Sequence, residues 1–306
     1  MKNIFVSILC TLIIFLFILS SDYLANIIVS FLNYSNKTSL NIKDEYTNPD
    51  FIFVKNTSNF TPYGKQDLLN IFYTVLNNKV NNFTFYCPKE YINCIMDVQY
   101  LSKDENILTH LNNFVHPFNS FSSLKTNISD TGEINIEITP IYSEEEIVRI
   151  KAEVTKIINM NITSDVKDDY DKIKVIHDYI INNTKYDINN DKSIKSYNAY
   201  GALFNNIATC NGYTDLMAIF LSEMGYQNFK IATTTKTSGH VWNAVNINNE
   251  WLHLDLTWDD PVSNDNENYL YHKYFLINTE ELKTADNNIT STEHLFDSSI
   301  YTEFKS

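Results

Sequence analysis

The sequence predicts an α+β fold in which a helix packs on an antiparallel sheet, and two observations lead to this prediction. Residues 240–247 and 250–257 each alternate between apolar and other side chains around Asn248-Asn249, as the two strands of a hairpin do. Residues 209–224 carry apolar side chains at the i, i+3, i+4, i+7 spacing of an amphipathic helix. A small α/β domain and an N-terminal membrane segment are expected to precede this core.

Length and charge limit the possible functions. A chain of 306 residues is long enough for about two domains. It carries 23 Lys and Arg against 37 Asp and Glu, which gives a net charge of −14. Nucleic acids and anionic lipid headgroups would be repelled by this charge, so we expect no nucleic-acid partner.

The N-terminus predicts a membrane segment over residues 1–21, either an uncleaved signal anchor or a cleaved signal peptide. Lys2 precedes an apolar run from Ile4 to Leu19, and no Ala-x-Ala cleavage pattern follows it. The run of 16 residues is long for a signal-peptide core and short for a spanning helix. An anchor would hold an extracytoplasmic body at the cell membrane, and a cleaved leader would release it as a secreted protein. Residues 22–49 are predicted to be a linker.

Residues 50–160 are predicted to form the small α/β domain together with a connecting helix. Ser143 and the three glutamates after it are typical of a helix start, because a Ser N-cap and first-turn acids satisfy the free N–H groups there. The other expected elements are a helix over 66–76, a strand over 82–86, a helix over 90–101, a loop over 112–123 and a strand over 133–139.

Residues 161–306 are predicted to form the second domain, which contains a helix over 170–183 and the helix over 209–224. Gly225 stands where the second helix should stop. Cys210 falls in its first turn, where free backbone N–H groups and the positive end of the helix dipole favour a thiolate over a thiol. Gly212 would allow another part of the backbone to pack closely.

The hairpin predicts that His240 and Asp255 share a face. With Asn248-Asn249 as a two-residue type I′ turn, Val245 opposes Leu252, Asn243 opposes Leu254 and Val241 opposes Leu256, so the aliphatic side chains collect on one face. On the other face Trp242 opposes Asp255. His240 then lies diagonal to Asp255 at a Cα separation of roughly 7–8 Å, which the two side chains can span.

These residues resemble the transglutaminase-like superfamily of papain-related fold, in its bacterial branch of clostridial anchored or secreted proteins. The resemblance covers about residues 165–262. The segments that carry it are Ile176-His177-Asp178-Tyr179-Ile180, Lys185-Tyr186-Asp187, Tyr200-Gly201-Ala202-Leu203, Cys210-Asn211-Gly212-Tyr213, His240-Val241-Trp242-Asn243 and Trp251 through Asp255 to Pro261. Ala208 stands where the family usually has Gly, and we expect little cost because alanine is also small.

The resemblance implies a Cys-His-Asp triad that acts on amide bonds. Cys210 would attack a carboxamide carbon, His240 would take the thiol proton and return it to the leaving amine, and Asp255 would hold the imidazole tautomer. Water would complete hydrolysis, as in a cysteine protease or amidase, and an amine would complete acyl transfer. The alternative is a non-catalytic protein- or cell-wall-binding module that keeps the fold.

The expected partners are a protein or peptide substrate, with cell-wall-linked peptides among the candidates, and the membrane through the N-terminal segment. No cofactor or metal ion is expected. Cys87 and Cys94 are either disulfide-bonded or reduced and buried, and their spacing with His110 and His116 does not fit a common zinc finger. His253 is expected to be structural, and Asp259-Asp260 to form a turn before Pro261.

Overall fold

The computed structural model describes residues 21, 40, 46–189, 195–234, 239–262 and 269–304. Ile42–Ser306 forms one compact unit, and Met1–Asn41 forms a second unit of which only Ser21 and Leu40 are described. The predicted membrane segment and most of the linker therefore lie outside the described residues. Where the chain is described, no helix is both long and apolar enough to cross a membrane. The division of the larger unit between residues 160 and 161 stays a prediction.

The first half of the compact unit combines three helices with a three-stranded antiparallel sheet in the order β1-β3-β2. Buried cross-strand pairs hold this sheet together. Phe83 pairs with Ile136 and Phe85 with Ile134, and all four side chains are buried. The elements in chain order are α1 Lys65–Asn77, β1 Asn82–Tyr86, α2 Cys94–Leu101, α3 Glu105–Phe114, a 3₁₀ turn Pro117–Asn119, β2 Phe121–Ile128 and β3 Glu133–Pro140.

Two predictions in this half are wrong. The region predicted as a loop over 112–123 contains the end of α3, the 3₁₀ turn and the start of β2. β2 gave no clear alternation because it lies at the edge of its sheet and none of its side chains is fully buried. The helix predicted over 90–101 begins only at Cys94, and Cys94 is disulfide-bonded to Cys87 across a Cα separation of 5.7 Å.

Two helices connect this sheet to the region of the candidate site. α4, Glu144–Asn161, begins at the predicted Ser143 cap, which forms a reciprocal capping box with Glu146. α5 covers Asp169–Asn183, close to the predicted range. Strand β4, Lys185–Tyr186, pairs in parallel with β5, Ile207–Ala208, and a π-helical turn at Gly201–Asn205 lies between them in the chain. Helix α6, Cys210–Glu223, follows β5.

Helix α6 is the centre of the main hydrophobic core. Its side chains Tyr213, Leu216, Met217 and Phe220 are fully buried among residues from α4, α5 and the second sheet. Gly225 ends the helix region with φ of +86°, a conformation in which glycine has no steric penalty. The predicted helix and its stop signal are therefore confirmed.

The second sheet is antiparallel in the order β6-β7-β8, with β6 Asn228–Ala232, β7 Val241–Ile247 and β8 Glu250–Leu254. Asn248 and Asn249 have φ of 54° and 66°, as a type I′ turn requires. The predicted pairs Asn243 with Leu254 and Val245 with Leu252 are confirmed.

The predicted pairs beyond Leu254 are wrong. β8 stops there because the Asp255 side chain caps a short helix, α7 Leu256–Asp259. Leu256 is still buried in the main core, although it does not pair with Val241. Helix α8, Thr279–Asn287, and a 3₁₀ turn at Thr302–Phe304 follow.

Tyr301 joins distant parts of the compact unit through its hydroxyl group. The hydroxyl contacts His110 Nδ1 at 2.8 Å and accepts hydrogen bonds from Asn113 Nδ2 at 3.0 Å and from the Ala232 N–H at 3.0 Å. The side chain is fully buried. Helix α3, strand β6 and the residues before the last 3₁₀ turn therefore meet at one polar atom.

Candidate active site

Cys210 is the first residue of α6 and is 8 % exposed. Thr209 precedes the helix in an extended conformation, and its side chain makes no cap hydrogen bond. The N–H groups of the first turn are therefore not taken up by a side-chain cap. Among the described cysteines, Cys210 is the one that is not in a disulfide.

Gly212 sets the position of this first turn. A Cβ atom at residue 212 would lie 2.3 Å from the Ser196 carbonyl oxygen and 2.9 Å from the Ala208 Cβ. The close approach predicted for this glycine is therefore present, and its neighbour is largely backbone. Thr209 adds to the contact, since its N–H donates to the same Ser196 oxygen at 2.8 Å.

Two hydrogen bonds fix helix α6 on strand β7. Thr214 Oγ1 donates to the Val241 carbonyl at 3.0 Å, and Asn243 Nδ2 donates to the Thr214 carbonyl at 3.0 Å. Both bonds are buried, so they are well shielded from water. The helix that carries Cys210 is therefore held against the strand that follows His240.

His240 lies immediately before β7 and is 6 % exposed. Its Nε2 atom forms a short hydrogen bond with Asp255 Oδ2, and its ring stacks on the Trp242 ring with centroids 5.8 Å apart. Because Nε2 faces Asp255, Nδ1 is the ring nitrogen left for Cys210. The structure thus brings together the three residues predicted as a triad.

Asp255 uses both carboxylate oxygens. Oδ1 accepts the N–H groups of Thr257 at 2.8 Å and Trp258 at 3.2 Å, which is the N-cap interaction of α7. Oδ2 contacts the imidazoles of His240 and His294. The residue is 2 % exposed, so its charge is stabilised by these four groups rather than by water.

The electrostatics of the pair favour an ionised carboxylate beside a protonated imidazole. Burial alone would lower the pKa of His240, but the charge of Asp255, their hydrogen bond and an interaction with the Cys210 side chain together raise it above its ordinary value. Burial would raise the pKa of Asp255, but His240 and His294 hold it well below the usual range. A protonated His240 can in turn stabilise a negative sulfur on Cys210.

His294 is a part of this centre that the sequence reasoning missed. Its Nε2 lies 2.9 Å from Asp255 Oδ2 and its Nδ1 lies 2.8 Å from Asp286 Oδ1. The side chain is buried, and its ring lies edge-on to the His240 ring with centroids 5.3 Å apart. No local pattern marks residue 294, since it lies 39 positions after Asp255 in a segment without regular secondary structure.

A second cluster of His and Asp side chains contains His177, Asp178, His272 and Asp259. His177 Nδ1 lies 2.9 Å from Asp178 Oδ1, and His272 Nε2 lies 2.6 Å from the same oxygen. His177 Nε2 lies 3.3 Å from Asp259 Oδ2 without the alignment of a hydrogen bond. Burial would lower the pKa of His177, but Asp178 and Asp259 raise it.

Two groups of three His and Asp side chains lie close together in the described part of the chain. One group is His177, Asp178 and His272, and the other is His240, Asp255 and His294. In each group one ring nitrogen or carboxylate oxygen from each residue lies within 4.8 Å of the other two, close enough to hold a metal ion. The hydrogen bonds above satisfy most of these atoms, and the second group coincides with the candidate active site.

Asp259 and Asp260 do more than form the turn predicted for them. Asp259 Oδ1 accepts the N–H groups of Lys273 at 2.8 Å and Tyr274 at 3.0 Å, so it fixes the backbone at these two residues. Asp260 accepts a short hydrogen bond from the Tyr213 hydroxyl. Burial raises the pKa of Asp260 to about 6, although the Tyr213 hydrogen bond opposes the rise.

His253 lies apart from the triad, in the structural position expected for it. Its Nδ1 accepts the Trp242 Nε1–H at 3.1 Å, and its Nε2 contacts Thr279 Oγ1 at 3.2 Å. Burial lowers the pKa of His253 to about 3, so the ring is neutral.

Residues 156–256 match the family model of the transglutaminase-like superfamily, and this range includes Cys210, His240 and Asp255 but not His294. Among solved structures, a crystal structure of a TGase is similar at 15% identity over 45% of this chain and 45% of its own, with a TM-score of 0.34. A candidate cysteine protease from Cytophaga hutchinsonii is similar at 12% identity over 44% of this chain and 61% of its own, with a TM-score of 0.30. A comparison with the curated proteins gives no match.

Proposed function

We propose that this chain, whose residues 156–256 match the family model of the transglutaminase-like superfamily, is a cysteine enzyme that acts on amide bonds through a thioester acyl-enzyme. The observation that supports the proposal is the buried arrangement of Cys210 at a helix N-terminus, His240 beside it and Asp255 behind His240. A nucleophile, a base and a group that orients the base are the parts that such chemistry requires.

The acylation step follows from this arrangement. His240 Nδ1 holds the proton of the Cys210 thiol, and the sulfur adds to the carbonyl carbon of a carboxamide. The carbonyl oxygen gains the negative charge, and the Cys210 N–H at the start of α6 is the first donor that would stabilise it. The C–N bond then breaks, His240 returns the proton to the leaving nitrogen, and a thioester remains on Cys210.

The second step determines the product. Water or a primary amine adds to the thioester carbon while neutral His240 takes its proton, and the C–S bond breaks to restore the thiol. Water gives a carboxylic acid, as in a protease or amidase, and an amine gives a new amide. Asp255 stabilises the imidazolium that forms in both steps, and it keeps the ring oriented with Nδ1 toward Cys210.

We also propose that the body of the protein works outside the cytoplasm. The apolar run from Ile4 to Leu19 supports delivery to a membrane, and the Cys87–Cys94 disulfide supports an oxidising compartment. Mass mapping of the protein isolated from its native cells after alkylation without reductant tests this proposal. Alkylated Cys87 and Cys94 would argue for a reducing compartment.

Alkylation of Cys210 tests the proposed chemistry without knowledge of the substrate. Iodoacetamide should modify Cys210 at pH 6 to 7 at least about tenfold faster than it modifies the same residue in the urea-unfolded chain, because a thiolate reacts and a thiol does not. His240→Ala should abolish the difference. If native Cys210 reacts no faster than the unfolded chain and His240→Ala changes nothing, the alternative of a non-catalytic binding module is favoured.

The acyl acceptor can be assigned with a glutamine-containing peptide and a fluorescent primary amine. Hydrolysis predicts release of ammonia or of a peptide fragment with no incorporation of the amine, and acyl transfer predicts a fluorescent peptide. Cys210→Ala is the matched control, since it removes the sulfur and keeps the first turn of α6. Mass spectrometry of the acid-quenched protein should show the acyl group on Cys210 in either case.

A further inference from the structure

His294 lies between two carboxylates, and each of its ring nitrogens faces one of them. Nε2 is 2.9 Å from Asp255 Oδ2 and Nδ1 is 2.8 Å from Asp286 Oδ1. A neutral imidazole has one N–H and one lone pair, so it would point the lone pair at an anionic oxygen. Both contacts are favourable only when both nitrogens carry protons. With both carboxylates ionised, the geometry therefore favours an imidazolium at residue 294.

The surroundings of the ring favour a positive charge. The Tyr274 ring stacks on His294 with centroids 4.8 Å apart, and Trp242 and Trp258 approach it at 5.0 and 5.6 Å. The face of an aromatic ring at such a distance attracts a cation, and the Tyr274 ring is the one stacked on His294. Asp286 is held in turn by the Tyr274 hydroxyl, which donates to Oδ1 at 3.3 Å.

We propose that His294 is a positioning residue for the candidate triad, which fixes the Asp255 oxygen that orients His240 and places a positive charge beside His240. The inference rests on the proposed function, because it assigns His294 to the machinery around Cys210. His294 touches Asp255 and not the reacting atoms, so it acts through Asp255.

The charge on His294 has a direct consequence for His240. Two imidazoles share Asp255 Oδ2, and their ring centroids are 5.3 Å apart. The His294 charge opposes protonation of His240 and takes up part of the Asp255 charge, so both effects lower the pH at which His240 loses its proton. Neutral His240 is the base that deacylation needs. His294 thus makes neutral His240 more available than it would be beside Asp255 alone.

The titratable groups that face His294 all belong to the same buried cluster. Burial would lower the pKa of His294, but the hydrogen bonds and charges of Asp255 and Asp286 raise it, while His240 opposes the rise. The neighbouring ionisable side chains are those of His240, Asp255, Asp286, Tyr274 and His253.

The pH profile of Cys210 alkylation tests this role, and His294→Gln is the central variant. Glutamine can still donate a hydrogen bond to Asp255 but carries no charge. We expect the alkaline limb of the profile, where His240 loses its proton, to move to higher pH by about 0.5 to 2 units. Coulomb's law gives this range for two charges 5.3 Å apart at effective dielectric constants of about 80 to 20. Deacylation at pH 7 should slow by a factor of about 3 to 100 for the same reason.

Two further variants separate positioning from packing. Asp286→Asn should move the limb in the same direction by a smaller amount, because it weakens the requirement for a proton on His294 Nδ1. His253→Gln is the matched control, since His253 is buried nearby and neutral and its ring nitrogens contact Trp242 and Thr279, and it should leave the limb in place. Side-chain ¹⁵N spectra should show both nitrogens of His294 protonated from pH 5 to 8.

The outcomes are distinct for the inference and for the proposed function. Wild-type Cys210 that shows no accelerated alkylation would refute the proposed function. Accelerated wild-type alkylation with an unmoved limb in a folded His294→Gln protein would refute the role of His294 alone. If His294→Gln does not fold, Asp286→Asn and the ¹⁵N spectra still decide, and a neutral His294 in those spectra would overturn the inference.

Discussion

Replacing Gly212 with alanine should destabilise the protein and displace Cys210. The new Cβ would lie 2.3 Å from the Ser196 carbonyl oxygen, 2.9 Å from the Ala208 Cβ and 3.2 Å from the Asn198 carbonyl oxygen. Ordinary contacts begin near 3.4 Å, so the first turn of α6 or the segment from Ser196 to Asn198 must move by about 1 Å. Two of the three contacts are with backbone atoms, which cannot turn away as a side chain can.

The magnitude follows from two opposing effects. Overpacking of a buried site costs about 1 to 3 kcal/mol, and backbone contacts place this one near the upper end. Alanine gains about 0.5 to 1 kcal/mol over glycine within a helix. The net loss in free energy of unfolding should be about 2 kcal/mol, which corresponds to a fall in Tm of roughly 4 to 8 °C for a domain of this size.

Thermal unfolding followed by circular dichroism measures the loss, and the alkylation rate of Cys210 measures the displacement. A shift of about 1 Å in the nucleophile should slow alkylation or turnover by about 10- to 100-fold. Gly239→Ala is the control, because a Cβ at residue 239 meets no atom within 4 Å and the backbone there is not in the left-handed region. Its Tm should stay within about 2 °C of the wild type. A Gly212→Ala protein as stable as the wild type would refute this reasoning.

Three further predictions concern the remaining features. Asp255→Asn keeps an acceptor for the α7 cap but removes the negative charge beside His240 and His294. Turnover should therefore fall by a factor of about 10³ to 10⁴, and an unchanged rate would show that Asp255 has no part in the mechanism. Burial raises the pKa of Asp260 to about 6, from about 3.9 in the unfolded chain, so its contribution to stability is largest below pH 4 and is lost as the pH rises through 6. Asp260→Asn should therefore make the urea midpoint depend less on pH between 4 and 6, and an unchanged pH dependence would contradict the raised pKa. Replacing both Cys87 and Cys94 with serine should cost about 2 to 3 kcal/mol in urea unfolding with little change in Cys210 alkylation, whereas a large loss of alkylation would tie the disulfide to the site.

The hairpin shows how much of the site the sequence could determine. Two adjacent asparagines accept positive φ, and a one-residue slip would have scattered the aliphatic side chains, so the register from Asn243 to Glu250 was fixed by local chemistry and patterning. Cys210 was likewise marked by the apolar stripe of α6 and by the glycine that stops it. These features depend on residues close together in the chain.

The errors arose where tertiary contacts decide the outcome. β8 ends at Leu254 because the Asp255 side chain is used to cap α7, and alternation cannot reveal that a carboxylate has another use. Edge strand β2 buries too little apolar surface to show a period. His294 was not found because its role depends on a contact with a residue 39 positions away, and the surrounding sequence has no motif.

The Tyr301 hydroxyl has a consequence for the order of folding. Its contact with His110 joins residues 191 positions apart, and a loop of that length is entropically costly to close before most of the core exists. The contact should therefore be absent from the folding transition state. Tyr301→Phe would then raise the unfolding rate and leave the folding rate nearly unchanged, which a chevron plot measures directly. A slower folding rate in that variant would instead place this contact in the nucleus. The Tyr301 contact would then set the unfolding rate of the compact unit and not its folding rate.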